Sequence, residues 1–370
     1  MFMTTANLFS PFTCKSLTLR NRIVMAPMTR SHSPGGVPTD EVAGYYRRRA
    51  AADVGLIVSE GTGVNRPASL NDPNVPRFHG EAELAGWQKV IDEVHSVGGV
   101  MAPQLWHVGA VKTRHADWTP PGAYDSPSGL SRPGKPFGQA MADHEVADAI
   151  AAFAQAAADA KRLGFEAVEL HAAHGYLIDQ FFWEGTNERS DPYGGPSLVD
   201  RSQFAAQILK ATRAAVGPDF PIIIRISQWK QQDYAVRMAN SPAEMERWLT
   251  TLVDAGADIL HCSQRRFWEP EFEDQGSDLN FAGWAKKLTG QPTITVGSVG
   301  LSGDFFSAFA GQGSETASLD ELVRRLDRGD FDLVGVGRAL LQDPLWATKI
   351  KEGRTGDLEA YRGDALATLS

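Results

Sequence analysis

The feature of this sequence that most restricts its fold is a repeated pattern of a short apolar run followed by a stretch with helical periodicity. Near-continuous apolar runs are typical of strands buried on both faces of a parallel sheet. Eight alternating units are the number that closes a (β/α)8 barrel, so the sequence predicts an α/β fold built as a single TIM barrel. The eight predicted strands are residues 22–26, 54–59, 100–105, 167–170, 221–226, 259–262, 293–296 and 333–336.

The competing fold is a doubly wound sheet with a dinucleotide site. That fold requires Gly-x-Gly-x-x-Gly after the first strand, where this chain has Pro27-Met28-Thr29-Arg30. The Gly335-Val336-Gly337 run lacks the third glycine and falls at the last strand. We therefore predict one TIM-barrel domain over residues 1–370.

Two further segments complete the predicted domain. Short apolar pieces around Phe12 and at residues 17–19 predict an N-terminal hairpin that closes one end of the barrel. Residues 107–142 are rich in Pro and Gly and predict a long loop between the third strand and the third helix. A connection of that length inside a compact domain is usually a functional loop or lid.

Composition excludes several classes of partner. The chain is 42% hydrophobic and 22% charged, with a net charge of −9 and scattered basic residues, which argues against nucleic acid and anionic membranes. The only cysteines, Cys14 and Cys262, are too few for a cysteine-ligated zinc or iron–sulfur site and fit a reducing compartment. Without a secretory signal or an apolar run near the ~20 residues of a membrane helix, a cytoplasmic protein is predicted.

Three candidate catalytic residues, His171, His174 and Tyr176, stand at the end of the fourth predicted strand. Two imidazoles and a phenol supply hydrogen-bond donors and a proton source. A lone histidine there would more often be structural, but the pair together with Tyr176 favours function. The alternative is a metal site, for which two ligands are not enough. The His-x-His that metal-dependent hydrolase barrels usually place after the first strand is also absent, so we predict no metal.

The other strand ends carry polar groups suited to a cofactor. The active site of a TIM barrel lies at the carboxyl ends of its strands, and its last two loops often bind phosphate. Arg225 interrupts an aliphatic run, and a charge in a buried strand is costly unless it is paired or faces a site. Thr29, Gln104 and Arg225 together suit a planar heterocycle with alternating carbonyl and N–H groups, such as an isoalloxazine.

Five motifs now described resemble those of the Old Yellow Enzyme family of flavin-dependent ene-reductases. The likeness extends over about residues 8–350 and is far more specific than any single motif. It implies FMN as cofactor, NADPH or NADH as reductant, and an alkene activated by a carbonyl or nitro group as substrate. The motifs are NRIVMAPMTR at 21–30, SEGT at 59–62, HAAHGYL at 171–177, NERSDPYGG at 187–195 and GR at 337–338.

The resemblance implies a role for each matching position. Thr29 corresponds to the residue at the flavin C4 carbonyl, Gly61 and Gln104 to the pyrimidine edge, and Arg225 to the arginine beside N1 and the C2 carbonyl. Four residues, Gly297, Ser298, Gly337 and Arg338, fall at the phosphate end. The implied cofactor contacts are Ala26, Pro27, Met28, Thr29, Gly61, Gln104, Arg225, Gly297, Ser298, Gly337 and Arg338.

The implied chemistry joins the cofactor to the three candidate catalytic residues. His171 and His174 would bind the substrate oxygen, hydride would pass from flavin N5 to the β-carbon, and Tyr176 would protonate the α-carbon. A dienoyl-thioester reductase is an alternative flavin barrel, but its relatives carry an iron–sulfur cluster that two cysteines do not support. A flavin-binding protein without turnover is a further alternative, and both a monomer and a homodimer remain open.

The sequence departs from the family pattern in two ways. His-x-x-His is common in a branch that usually has Cys at the position of Thr29, whereas threonine accompanies His-x-x-Asn more often. Redox potential and substrate range are therefore not transferred from either branch. Residues 228–240 and 267–270 match no family role. Of the aromatic residues Trp106, Trp229 and Trp346, we expect packing more often than substrate contact.

Overall fold

A closed barrel of strands forms the centre of the fold. The computed structural model describes residues 5–113, 115–304 and 312–370. Eight parallel strands pair in chain order, and the last closes the barrel by pairing with the first. The predicted TIM barrel is therefore confirmed. The strands are β1 (Ile23–Met25), β2 (Leu56–Gly63), β3 (Met101–Trp106), β4 (Val168–His174), β5 (Ile222–Lys230), β6 (Ile259–Ser263), β7 (Thr293–Val296) and β8 (Leu333–Val336).

Helices cover the outside of the barrel, and several begin at the caps that the sequence predicts. Thr39 accepts a hydrogen bond from Val42 N at 3.3 Å, which satisfies a backbone donor of the first helical turn. Ser241 caps a later helix in the same way, accepting from Glu244 N. The labelled helices are α1 (Asp40–Ala51), α2 (Glu81–His95), α3 (Asp143–Leu163), α4 (Gln203–Val216), α5 (Pro242–Asp254), α6 (Phe281–Thr289), α7 (Asp320–Arg328), α8 (Arg338–Gln342) and α9 (Trp346–Lys351). Two further short helices, Leu177–Phe182 and Leu198–Arg201, lie between β4 and α4.

The predicted N-terminal hairpin is also confirmed. Its strands, Phe12–Cys14 and Leu17–Leu19, pair antiparallel. Leu17 and Leu19 are fully buried and pack with the apolar side chains that fill the barrel interior at the amino-terminal ends of the strands. That interior layer includes Val24, Leu56, Val58, Ala102, Ala167, Ile223, Ile259, Ile294 and Leu333. The hairpin thus excludes water from one end of the barrel, and the other end is left for a site.

The predicted boundaries were wrong at the two strands that matter most for that site. The fourth strand continues to His174, and the fifth extends through Lys230 instead of stopping near Ile226. The ends of these strands are polar, so hydrophobic periodicity places them in loops. They stay paired nevertheless, because Lys230 lies in register with His174 beyond a bulge. Part of the unassigned segment 228–240 is therefore strand.

Two other segments differ from the prediction. The long loop after β3 is not irregular throughout, because Asp125–Ser126 pairs with Gln139–Ala140 and Leu130–Arg132 pairs with Lys135–Pro136. The predicted last helix, residues 339–350, is two helices, α8 and α9, separated at Pro344. Proline has no backbone N–H and disfavours a helical residue before it, which explains the break.

Within the described residues, no helix is both long and apolar enough to cross a bilayer.

The hairpin position gives a stability prediction. Leu19→Ala removes a fully buried side chain from the closed end of the barrel, so the free energy of unfolding is expected to fall by about 2–5 kcal/mol. Thr18→Ala is the matched control, because Thr18 is exposed on the same strand and its loss is expected to cost less than about 0.5 kcal/mol. Urea denaturation followed by tryptophan fluorescence measures both. Equal, small effects would show that the hairpin is not part of the core.

Candidate active site

One cavity of about 450 Å³ at the carboxyl ends of the strands gathers the residues singled out by the sequence. Every predicted catalytic and cofactor-binding position lines it, although these positions come from seven of the eight strand ends and are spread over more than three hundred residues. Convergence follows from barrel closure, because parallel strands place all their carboxyl ends at one face. These residues are Ala26, Pro27, Met28, Thr29, Gly61, Gln104, His171, His174, Tyr176, Arg225, Gly297, Ser298, Gly337 and Arg338.

The two histidines and the tyrosine form a compact group on one wall. The bulge after Ala172 and the positive φ of 66° at His174 break the strand alternation, and both imidazoles line the cavity. Their ring centroids are 5.1 Å apart, with planes at 89°. The Tyr176 ring lies 5.0 Å from that of His171. Three hydrogen-bonding side chains thus surround one small volume.

Both imidazoles are neutral. Burial, reinforced by the positive charge of Arg225, holds the pKa of His171 and that of His174 well below the usual range. His171 Nδ1 accepts a hydrogen bond from Ala173 N at 3.4 Å, which leaves the ring proton on Nε2. His174 Nε2 lies 2.8 Å from the hydroxyl of Ser263 on β6. Each ring keeps one nitrogen available toward the cavity.

Two tryptophans complete an aromatic wall around this group. Trp106 stacks on His171 with ring centroids 6.0 Å apart and meets the Tyr176 ring edge-on at 4.9 Å. Trp229 stacks on His174 at 4.6 Å. Both line the cavity, whereas Trp346 is buried in the core. Trp106 and Trp229 therefore both pack against the histidines and line the cavity, and whether they contact a substrate stays a prediction. Residues 267–270 lie outside this cavity's lining.

Arg225 carries a buried positive charge to the floor of the cavity. It is 8% exposed, and within the described residues its buried Nε has no hydrogen-bond partner. Burial lowers its pKa, while the nearby carboxylate of Glu169 opposes that shift. A guanidinium that is buried without its full set of acceptors is expected to face a ligand that supplies them.

Glu169 and His261 are two interior residues that the sequence analysis missed. Glu169 accepts hydrogen bonds from Gln104 Nε2 at 2.7 Å and from His261 Nδ1 at 2.6 Å. Burial raises the pKa of Glu169, but His261, Arg225 and Gln104 outweigh it and lower the pKa overall, so the group is a carboxylate. Burial lowers the pKa of His261, which stays neutral and donates. Charged or polar residues inside the apolar runs AVEL and DILHC were the available signal, the same one that identified Arg225.

The loops after β7 and β8 form one end of the cavity. Gly297 and Ser298 follow β7, and the Ser298 hydroxyl lies within hydrogen-bond distance of Gly303 O at 3.1 Å. Arg338 donates to Gly303 O at 2.6 Å and Asp304 O at 2.9 Å, so part of its donor capacity holds the loop itself. The guanidinium still lines the cavity and keeps a positive charge at this end.

Gly61 shows how closely the cavity floor is fitted. A Cβ at this position would lie 2.6 Å from the Trp106 ring and 3.2 Å from Gln104 Oε1. Any larger residue would therefore displace the amide of Gln104 or the indole. Glycine is required here by close approach of side chains.

Comparison with known proteins decides the family. The profile of the NADH:flavin oxidoreductase / NADH oxidase family matches residues 7–357. The chain belongs to this family. It is 32% identical to 12-oxophytodienoate reductase 7 of Oryza sativa subsp. japonica over 359 residues, 92% of this chain and 86% of that protein. It is 31% identical to the NADPH dehydrogenase of Bacillus subtilis (strain 168) over 92% of this chain and 93% of the relative.

A solved structure agrees with the sequence relatives. Morphinone reductase in complex with tetrahydroNAD superposes with a TM-score of 0.77 at 28% identity, covering 95% of this chain and 92% of that one. The predicted membership of the Old Yellow Enzyme family is therefore confirmed. As a member of the NADH:flavin oxidoreductase family, the protein is an oxidoreductase with FMN as cofactor and a nicotinamide as reductant.

The residues present fit the flavin that membership in the NADH:flavin oxidoreductase family implies. The incompletely partnered guanidinium of Arg225, the space kept open by Gly61 and the positive charge of Arg338 belong to one cavity. A ligand that combines a ring of carbonyl and N–H groups with a phosphate matches this donor set.

Glu60 lies directly behind the first loop of the site. Its carboxylate accepts hydrogen bonds from Arg30 N at 2.8 Å and Ser31 N at 3.2 Å, next to Thr29. The other oxygen, Oε1, has no partner in the part of the chain that the structure describes. Burial raises the pKa of Glu60 to about 7, although these two N–H donors oppose it. The residue therefore ionises close to neutral pH.

This raised pKa gives a pH-dependent stability prediction. The folded state holds the Glu60 proton more tightly than the unfolded chain, whose pKa is about 4.3, so stability is lost as the pH rises from about 4.5 to about 7. Glu60→Gln keeps an acceptor and cannot ionise. Relative to the wild type, the variant is expected to gain on the order of 2–4 kcal/mol over that interval. Denaturant midpoints at pH 4.5 and 7.5 test this, and a pH-independent difference would contradict it.

Proposed function

We propose that this protein is an ene-reductase, which takes electrons from NADPH or NADH and reduces an alkene activated by a carbonyl or nitro group. The observation that carries the proposal is the group of His171, His174 and Tyr176 in the cavity that Arg225 also lines. Two relatives are named as reductases of 12-oxophytodienoate and of morphinone, both oxo compounds by name, which supports a carbonyl-bearing substrate.

The neutral imidazoles are suited to binding an uncharged acceptor oxygen. His171 Nε2–H and His174 Nδ1 face the same volume, because the other nitrogen of each ring is held by Ala173 N and by the Ser263 hydroxyl. When that hydroxyl donates to His174 Nε2, the ring proton lies on Nδ1. Two N–H donors on one oxygen polarise the conjugated double bond and make the β-carbon electrophilic. A protonated pair would repel Arg225, so the positive charge of Arg225 favours the neutral form of both imidazoles.

Bound FMN would supply the hydride. Within the proposal, Gln104, Gly61, Thr29 and Arg225 hold its ring, with Ala26, Pro27 and Met28 of the first loop alongside. Arg338, Gly297, Ser298 and Gly337 hold its phosphate. Because Glu169 accepts a hydrogen bond from Gln104 and balances the charge of Arg225, the amide is oriented and the cation is compensated before any ligand binds. Preorganised charge of this kind avoids a reorganisation cost during reaction.

Tyr176 completes the addition by donating its hydroxyl proton to the α-carbon. General acid catalysis of this kind is typically worth about 10²–10⁴ in rate. The phenol lies against His171 and Trp106, so its position relative to the substrate oxygen is fixed by packing. The chain thus provides the oxygen site and the proton on neighbouring side chains.

The first experiment concerns both half-reactions. Purified protein is expected to show flavin absorbance, to lose it with NADPH or NADH under anaerobic conditions, and to regain it when a cyclic enone is added. The control is the saturated ketone, which has the oxygen but no alkene and should leave the flavin reduced. A flavoprotein that nicotinamide never bleaches would favour simple flavin binding and contradict the proposal.

Substitution of the proton donor separates the two half-reactions. Tyr176→Phe removes the proton and keeps the ring contacts with His171 and Trp106, so enone-dependent reoxidation is expected to slow by about 10²–10⁴. Reduction by NADPH needs no proton from this residue and is expected to change less than about threefold. Stopped-flow absorbance of each half-reaction measures both. An equal loss in the two would assign Tyr176 a structural role.

A further inference from the structure

Four consecutive residues that match no family role, 229–232, all contact the turn that carries the proposed catalytic group. Trp229 stacks on His174, and Lys230 forms an ion pair with Asp179. Gln231 donates from its amide to the Tyr176 hydroxyl oxygen at 2.9 Å. Gln232 donates to Gly175 O at 3.0 Å. We call residues 229–232 the clamp.

The clamp is anchored by a buried ion pair. Lys230 Nζ lies 2.6 Å from Asp179 Oδ1, and both side chains are fully buried. Burial raises the pKa of Asp179 and lowers that of Lys230, and their mutual attraction opposes both shifts. Asp179 also accepts from Gly175 N at 2.5 Å, so the pair fixes the turn backbone. Such a pair is costly to bury and sets position more than stability.

The backbone of the turn between His174 and Tyr176 favours glycine at position 175. Gly175 has φ 79°, and a Cβ there would lie 1.9 Å from Gln232 Oε1. The segment that follows β5 therefore lies directly against the turn. The orientation of His174 and Tyr176 depends on this contact, since they flank the glycine.

We infer that Gln231 is a positioning residue that holds the Tyr176 oxygen and stabilises the phenolate left when the proton is transferred; this inference rests on the proposed function. In that step the Oη–H bond breaks, the proton forms the new C–H bond at the α-carbon, and the electron pair stays on oxygen. The amide N–H already points at that oxygen, so it stabilises the developing charge without rearrangement. Water later returns the proton to the phenolate.

Comparison with Gln232 shows why the hydrogen bond from Gln231 to Tyr176 has a role beyond holding the loop in place. Gln232 bonds a backbone carbonyl, which stays an acceptor in every state of the reaction. Gln231 bonds the one atom of the turn on which the proposed reaction develops charge. A donor to a charged oxygen contributes more than a donor to a neutral one, so Gln231 is expected to favour the transition state over the ground state.

Kinetic separation tests the inference. Gln231→Leu is expected to slow enone-dependent reoxidation roughly ten- to a hundredfold, the range for a hydrogen bond to a charged group, and to leave reduction by NADPH unchanged. In a Tyr176→Phe background, which has no phenol, the same substitution is expected to have no further effect. A solvent isotope effect on reoxidation should grow in the single variant, because proton transfer becomes more rate-limiting. Equal losses in both backgrounds would overturn the inference.

A second variant fixes the direction of the hydrogen bond. Gln231→Glu keeps the shape but presents carboxylate oxygens to the phenol at neutral pH, and reoxidation is expected to be at least as slow as with Leu. If the amide oxygen instead accepted the tyrosine proton, the Glu variant would retain the wild-type rate, and the inference would fail. Gln232→Leu is the matched control in the same segment, and its effect is expected to persist in the Tyr176→Phe background.

A readout without turnover separates this inference from the proposed function. The phenolate of Tyr176 is measured by near-ultraviolet titration as the difference between each protein and its Tyr176→Phe counterpart. His171 and Arg225, the titratable neighbours of the phenol, are the same in all variants. Loss of the Gln231 donor is expected to move phenolate formation to higher pH. An unchanged titration overturns the inference, whatever the outcome with NADPH and enone.

Discussion

A carboxylate in the middle of the barrel is the interaction on which the site depends. Glu169 accepts from Gln104 and His261 and balances the charge of Arg225, so one group orients the amide of Gln104 and compensates the buried cation. Without it, Arg225 would be a buried cation with no counter-charge, which costs several kcal/mol. The field of that cation in turn helps to keep His171 and His174 neutral. The protonation state of His171 and His174 therefore depends in part on the balance of charge between Arg225 and Glu169.

The second organising contact lies between two adjacent strands. The fifth strand runs past the point where its apolar residues end, and its polar extension holds the turn after the fourth strand. The buried pair of Lys230 and Asp179 makes this extension rigid, and Trp229 and Gln231 then meet His174 and Tyr176. Floor and wall are thus supported separately, one by Glu169 and the other by β5. A substrate between them meets groups whose positions are set by buried contacts.

Much of the fold could be predicted because local patterns of apolar residues determine its strands and helices. Eight apolar runs predicted the barrel, and seven of the eight strand ends predicted at least one residue of the cavity, since closure brings all strand ends to one face. No residue was predicted at the end of β6, although Ser263 there lines the cavity. The contacts between polar residues that are distant in sequence were not predicted. Strand β5 was ended too early because Gln228, Lys230 and their neighbours break the apolar run. Glu169 and His261 were overlooked although a polar residue in a buried run had already identified Arg225.

The combination of Thr29 with His171 and His174 has a physical reading in this fold. A histidine at 174 needs a partner for its second nitrogen and a face to stack against, and Ser263 and Trp229 supply both. Thr29 belongs to the loop after β1, which is held by the Glu60 carboxylate through Arg30 N and Ser31 N. The two positions are thus supported by different neighbours. Residues that are typical of different branches can therefore occur together in one barrel, because each depends on its own surroundings.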